Sequence, residues 1–478
     1  MGRLDVDALA THAAAEMERW SVPALEVSVV ADGDVLYAGG FGTRDVERGL
    51  PVTSKTLFHH GSTAKAFTGA LVASLVGDGL LEWDRPVREY VPDLRLSDPV
   101  VTERVTMSDL LSHRSGLAQH EWAWLAHPSE SRAELLRRLP HLAFASDLRA
   151  AFHYCNLAFM LAGEVVAKVT GSTWEEQVRS RLLDPLGMTR TLTAMDDALH
   201  DHDHASPYDE RDGTIAQIPW RPSDAVGPAG GIFSCADDTA RWLLFQLGDG
   251  SVDGRRVLGE EGLRATQRTQ FPFSHPSPFP EVTHSGYGFG WVQGTYRGRR
   301  MVWHNGGFDG FKTEFLLLPD EGIGIATCGA TSHTSLLPQA VAHHVADLLL
   351  EEEPKAWSAD MHELWSKARV AASETRAGTH VVPDAPPSHP LADYVASYDD
   401  PGYGTLEVVA KDEELQVRLG ELDLVTRHRH FDTWTALYEA LHTEFPITFV
   451  TDAEGVISEA VVPLEDAVPA VRFTRRIT

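Results

Sequence analysis

The run HGSTAKAFTGALVASLV, residues 60–76, decides how the rest of the chain is read. It sets a hydroxyl, Ser62, and an amine, Lys65, three residues apart at the head of an apolar stretch from Ala64 to Val76, which reads as a buried helix stopping at Gly77 or Gly79. Side chains at i and i+3 share a helix face, so Lys65 can reach Ser62. A serine is a weak nucleophile until a base takes its proton. A lysine held out of water can be that base, and free N–H groups at a helix N-terminus can receive a developing oxyanion. A helix cap followed by an ordinary lysine has the same spacing, so the pair needs support elsewhere in the chain.

Working outward, Val6 to Trp20 has helical periodicity, and Leu25 to Val30 with Val35 to Gly40 read as two strands around an Asp32-Gly33-Asp34 turn. From Ser108 to about Gly250 the pattern is mostly helical, including Leu157 to Val169 with Gly171 as its stop. Strands return at Tyr287 to Val292, Met301 to His304, Lys312 to Leu318 and Ile323 to Cys328, and a helix follows from about Leu336 to Leu350. Strands at both ends of a helical region imply one antiparallel sheet built from distant parts of the chain and flanked by helices. A helical stretch then runs to about Ala377, and Pro383, Pro386, Pro387 and Pro390 mark a linker. Beyond Leu391 short alternating strands, among them Thr405 to Ala410, Glu414 to Leu419, Ile447 to Thr451 and Ala470 to Thr474, predict a small all-β barrel or sandwich.

Composition narrows the chemistry. A formal charge of −28 disfavours nucleic acid and anionic membranes as partners. No stretch is long and apolar enough for a membrane helix, and the first residues lack the basic and apolar regions of an export signal, so a cytoplasmic location is expected. Cys155, Cys235 and Cys328 are odd in number and widely spaced, which reads as three buried thiols and neither a disulfide framework nor a zinc site. The 23 histidines include no HExxH, so neither a metal nor any other cofactor is expected.

Two further groupings carry chemistry. Tyr154-Cys155-Asn156 stands just before a helix, where a phenol can relay protons and an amide can hold a carbonyl; a core tyrosine beside a capping asparagine fits the same residues. His304-Asn305-Gly306-Gly307 ends a strand, where the glycines let a ligand approach the backbone, the histidine can bind a carboxylate or tune the serine, and the Gly307 N–H can donate to an oxyanion. A hairpin turn beside a histidine satisfied within the fold is the plainer alternative. Arg427, His428, Arg429 and His430 form a basic cluster in an acidic protein, suited to a substrate carboxylate or an acidic carrier domain, or to a solvated strand.

Ser62-x-x-Lys65, Tyr154-x-Asn156 and His304-Asn305-Gly306, in that order, resemble the three motifs of the serine β-lactamase and penicillin-binding-protein superfamily, in its class C-like branch. VTMSDLLSHRSGL (105–117), DPLGM (184–188), PAGG (228–231) and YGFGW (287–291) extend the likeness over almost all of the first 350 residues. His304 stands where many relatives carry a lysine, a departure that weakens any expectation of strong β-lactamase activity. The resemblance implies an α/β (α+β) β-lactamase/transpeptidase-like domain at 1–353, a helical and Pro-rich linker at 354–390 and a lipocalin-like β domain at 391–478. It makes Ser62 the nucleophile, Lys65 its base, Tyr154 a proton relay, and Asn156, His304 and Gly306 substrate-positioning groups, with the Ser62 and Gly307 N–H groups as the oxyanion hole. The whole chain resembles the penicillin-binding-protein-type thioesterases of the surugamide and ulleungmycin cyclase kind, which implies a linear peptidyl thioester as substrate and a peptide-synthetase carrier domain as partner. An intracellular esterase or D-stereospecific peptidase, and a catalytically silent peptide-binding module, are the other readings.

Overall fold

The strand Ala24–Ala31 is buried along its whole length, its polar Glu26 and Ser28 included, as a strand covered on both faces is. In the computed structural model, which describes residues 4–211, 214–377, 381–441 and 443–477, it pairs antiparallel with Ile323–Gly329, Leu25 opposite Gly329 and Val29 opposite Ile325. The two distant parts of the chain therefore meet as expected. The sheet has nine strands in the order Phe271–His275, Val282–Tyr287, Val292–Tyr296, Arg299–Phe308, Phe311–Leu318, Ile323–Gly329, Ala24–Ala31, Asp34–Asp45 and Leu50–Pro51.

Helices cover the sheet. Val6–Trp20 starts where the Asp5 carboxylate accepts the N–H groups of Asp7 and Ala8. It buries Leu9, Ala13, Met17 and Trp20, one stripe at helical spacing. That stripe joins Val27, Val29, Leu316 and Ile325 of the sheet and Val341, Val345 and Leu349 of the helix Leu337–Leu349 in one core. The helix Ala64–Gly77 is buried almost throughout, with Phe67 stacked on Trp242 of the helix Ala236–Leu247 at 3.7 Å between ring centres.

Two expectations need correcting. Tyr287 to Val292 is not one strand: a strand ends at Tyr287, the next begins at Val292, and a turn separates them. Gly290 in that turn has φ +89°, and a Cβ there would come within 2.3 Å of the Lys65 carbonyl oxygen, so contact with the helix head imposes the break. The region from Ser108 to Gly250 also holds strands, Tyr208–Arg211 paired with Thr214–Gln217, and Phe233–Ser234 paired with Phe58–His59 just ahead of Ser62.

By compactness the described residues up to Pro92, with Arg104–Ser115 and Ala158–Ala368, form one unit. The second unit takes Asp93–Glu103, Gly116–Leu157 and the chain from Arg369 onward. It contains a closed barrel of eight strands from Ala396–Asp400 to Val471–Arg475. Alternate residues such as Leu415, Val417 and Leu419 point inward. Trp434, Phe449 and Tyr398 fill the interior, with Trp434 and Phe449 meeting edge to face at 5.5 Å. The barrel has the strand number of the lipocalins, and side chains pack its axis.

Candidate active site

Ser62 lies in a single 3-10 turn, Gly61–Thr63, that runs straight into the helix Ala64–Gly77. Residues three apart eclipse in such a turn, and Lys65 Nζ is 3.0 Å from Ser62 Oγ. The amine also donates to the Ala229 carbonyl at 2.8 Å and stands 5.5 Å from the centre of the Phe159 ring. Lys65 is fully buried. In its neutral form this amine keeps both contacts by donating one N–H to Ala229 and accepting the Ser62 hydroxyl proton, which is the geometry of a general base.

Glycines bring the third motif against this turn. A Cβ on Gly306 would lie 2.0 Å from the His60 carbonyl oxygen and 3.2 Å from the Ser62 nitrogen. Gly61, at φ +53°, would put a Cβ 2.9 Å from the Gly307 nitrogen. Bare backbone therefore faces bare backbone along this seam, which brings the Gly307 backbone up to the serine turn.

His304 is almost fully buried. Its Nδ1–H donates to the Asn305 carbonyl at 2.5 Å, and its Nε2 accepts the Tyr287 hydroxyl at 2.7 Å. Burial, reinforced by the nearby Lys65 charge, pushes its pKa down to about 3. The ring is thus a neutral link between two parts of the sheet, and in this state it is no cationic anchor for a substrate carboxylate. His113, buried against Tyr287 and Phe159, is likewise driven well below the usual range by burial, then by Lys65 and His304.

Behind the serine turn, Glu26 bonds His60 at 3.1 Å and the Thr239 hydroxyl at 3.1 Å, while the Thr313 hydroxyl bonds Cys328 Sγ at 3.0 Å. Among the described residues, Glu26, His60 and Cys328 are the one grouping whose donor atoms lie close enough to hold an ion. Glu26, His60 Nε2 and the Cys328 thiol are engaged with protein partners, and the network braces the residue two before Ser62. All three cysteines are buried free thiols.

Ser62, Lys65, His304, Gly306 and Gly307 thus come together in the first unit. Tyr154 and Asn156 belong to the second, at the entry of the helix Asn156–Thr170. Phe159, whose ring lies near Lys65, is one turn further along that helix. Arg427 and Arg429 sit on the barrel strand Leu422–His430, Arg427 exposed and Arg429 half-buried. Ala229, Tyr287 and Glu26 went unassigned in the sequence. Ala229 acts through its carbonyl, which no side chain announces, although it and Tyr287 lie inside the stretches that carried the resemblance.

The fold is β-lactamase/transpeptidase-like, and with the serine–lysine pair it marks a serine hydrolase or acyltransferase. Residues 9–349 match the Beta-lactamase family, more than half of the chain, and the chain belongs to that family. Residues 381–475 match a domain family of unknown function, DUF3471. The chain is 30% identical over 419 residues to an unguisins hydrolase, ungD', of Aspergillus campestris, covering 83% of this chain and 76% of that one. Its structure is similar to the octameric penicillin-binding protein homologue from Pyrococcus abyssi, with TM-score 0.64, 23% identity and coverage of 98% and 99%. It is also similar to the crystal structure of SurE, with TM-score 0.59, 21% identity and the same coverage. Among the described residues no helix is long and apolar enough to cross a membrane.

Proposed function

We propose that the protein takes a linear peptide from a carrier-bound thioester onto Ser62 and releases it as a head-to-tail macrolactam. The observation that carries the acyl-transfer step is the buried Lys65 amine 3.0 Å from Ser62 Oγ, beside the Gly306–Gly307 seam. Ser62 Oγ attacks the thioester carbonyl as Lys65 takes its proton, the oxyanion forms against the Ser62 and Gly307 N–H groups, and the thiol leaves with a proton. The peptide's own N-terminal amine then attacks the ester, the amide bond closes the ring as the bond from the acyl carbon to Ser62 Oγ breaks, and the proton lost by the amine passes to Ser62 Oγ. In this reading Tyr154 relays that proton and Asn156 holds the acyl-chain carbonyl, roles the motif order supports. Cyclisation requires the tethered amine to outcompete water through proximity.

The peptide-cyclase part is supported by the motif set and appended barrel shared with penicillin-binding-protein-type thioesterases, and by fold likeness to SurE. Likeness to a hydrolase favours a second reading, in which water resolves the same acyl-enzyme. A panel of linear peptides, activated as C-terminal pantetheine thioesters and varied in chirality at both ends, separates the two by mass spectrometry. The cyclic product is one water lighter than the hydrolysed acid. Linear acid from every accepted thioester overturns cyclisation, and binding without any acyl adduct overturns acyl transfer.

A further inference from the structure

The barrel is bound to the segment Gly116–Leu157 by contacts that fix backbone position. His120 is fully buried, at φ +46°. Its backbone N–H donates to Glu465 at 2.9 Å, its Nε2–H donates to the Ala143 carbonyl at 2.7 Å, and its Nδ1 accepts the hydroxyl of Tyr403 at 2.7 Å. Tyr403 lies in the turn between the first two barrel strands. The His127 ring donates to the Tyr403 carbonyl at 2.8 Å, and the Glu421 N–H donates to the Ala126 carbonyl at 2.8 Å. Trp122 packs edge-on against Phe445 and Tyr438 of the barrel.

Glycines again mark the close approaches. A Cβ on Gly404 would stand 2.6 Å from the His127 ring, one on Gly420 would stand 2.2 Å from the Ala126 carbonyl oxygen, and one on Gly402 would stand 2.8 Å from Leu142. Three barrel positions thus lack side chains where this segment crosses them. From the anchored part the chain of contacts runs on. Leu117 bridges Phe144, the Ala145 N–H donates to the Gly116 carbonyl at 2.9 Å, and Ser146 Oγ bonds the His153 ring at 3.1 Å. His153 immediately precedes Tyr154.

We propose that the barrel is the mount of the second-motif loop, with Tyr403 and His120 as positioning residues that set where Tyr154 stands. This rests on the reading of Tyr154 as proton relay. A lipocalin-sized barrel with a packed interior has no need of a ligand to serve this purpose: its rim supplies rigid acceptors and donors to a segment that has little regular structure of its own.

The test is a double-mutant cycle on the full chain. Tyr403→Phe keeps the ring and removes only the hydroxyl that bonds His120. It is expected to slow single-turnover acylation of Ser62 by an activated ester about 3- to 30-fold, the range of residues coupled to a site without touching it. In a Tyr154→Phe background the same substitution is expected to change the rate less than about twofold, because the group it positions is gone. A merely structural role would slow both backgrounds alike. Arg418→Ala, which breaks an exposed ion pair with Glu407 on the barrel exterior, serves as the control with unchanged acylation. Where Tyr403→Phe fails to give a single cooperative melt, His120→Gln, which retains an N–H donor for Ala143, is read in its place. Equal slowing in both backgrounds, or none in either, overturns the mount. Wild-type acylation by Tyr154→Phe alone overturns the relay reading and the mount with it, whereas a slowed Tyr154→Phe with no coupling to Tyr403 overturns the mount and leaves the relay.

Discussion

Gly306→Ala adds one methyl group where the third-motif strand meets the serine turn. The new Cβ would stand 2.0 Å from the His60 carbonyl oxygen, against the 3.4 Å at which ordinary contact begins, a shortfall of 1.4 Å. Neither neighbour is a flexible side chain, since both are backbone, so the strand and the turn must part. A displacement of about 1 Å at reacting groups costs on the order of 100-fold in rate, while overpacking of one methyl costs roughly 1–3 kcal/mol of stability. The variant is therefore expected to remain folded, melting a few degrees lower, and to acylate Ser62 about 100-fold more slowly. Stopped-flow acylation by a nitrophenyl ester and a thermal melt on the same sample measure both. Acylation within threefold of wild type would show that the Gly306–His60 approach does not hold Ser62 in position for acylation.

Ser62→Ala is expected to abolish turnover and the acyl adduct seen by intact mass, with the melt unchanged; an adduct on the variant would move the nucleophile elsewhere. Lys65→Ala should slow acylation by roughly 100- to 10,000-fold, the usual worth of a positioned base, and near-normal burst kinetics would remove Lys65 from that role. Stability should fall in acid. His59, His304 and His343 are buried neutral with pKa values pushed to about 3, chiefly by burial. Their stabilising contribution is complete above the unfolded value near 6.5 and is lost as pH falls toward 3, each at roughly 1.4 kcal/mol per pH unit. A melting temperature that stays flat from pH 7 to pH 4 would contradict their burial as neutral rings.

What the chain discloses by inspection is what depends on short spacing. Ser62 and Lys65 are one turn apart, and the run Ala64 to Val76 is apolar on every side, so helix, burial and contact all follow locally. Tyr287 to Val292 misleads because its apolar residues alternate like a strand, whereas the break at Gly290 comes from packing against Lys65, a residue 225 positions earlier. His304 shows its position in the sequence but not its protonation, which depends on the depth of burial and then on the nearby Lys65. The alliance between Gly116–Leu157 and the barrel joins segments nearly 300 residues apart, such as His120 and Tyr403, and neither periodicity nor charge records it. Gly402, Gly404 and Gly420, crowded into two barrel turns, are the trace it leaves.

The central sheet also governs how the protein must be made. Leu25 pairs with Gly329, 304 positions later. At about 5–20 residues per second of synthesis, the strand Ala24–Ala31 waits roughly 15–60 s after leaving the ribosome before its partner exists. For that interval a strand with no solvent-facing side in the finished fold, every one of its eight residues being buried, is presented to the cell. Its yield in a foreign host should therefore follow translation speed and holdase supply more closely than the stability of the finished fold.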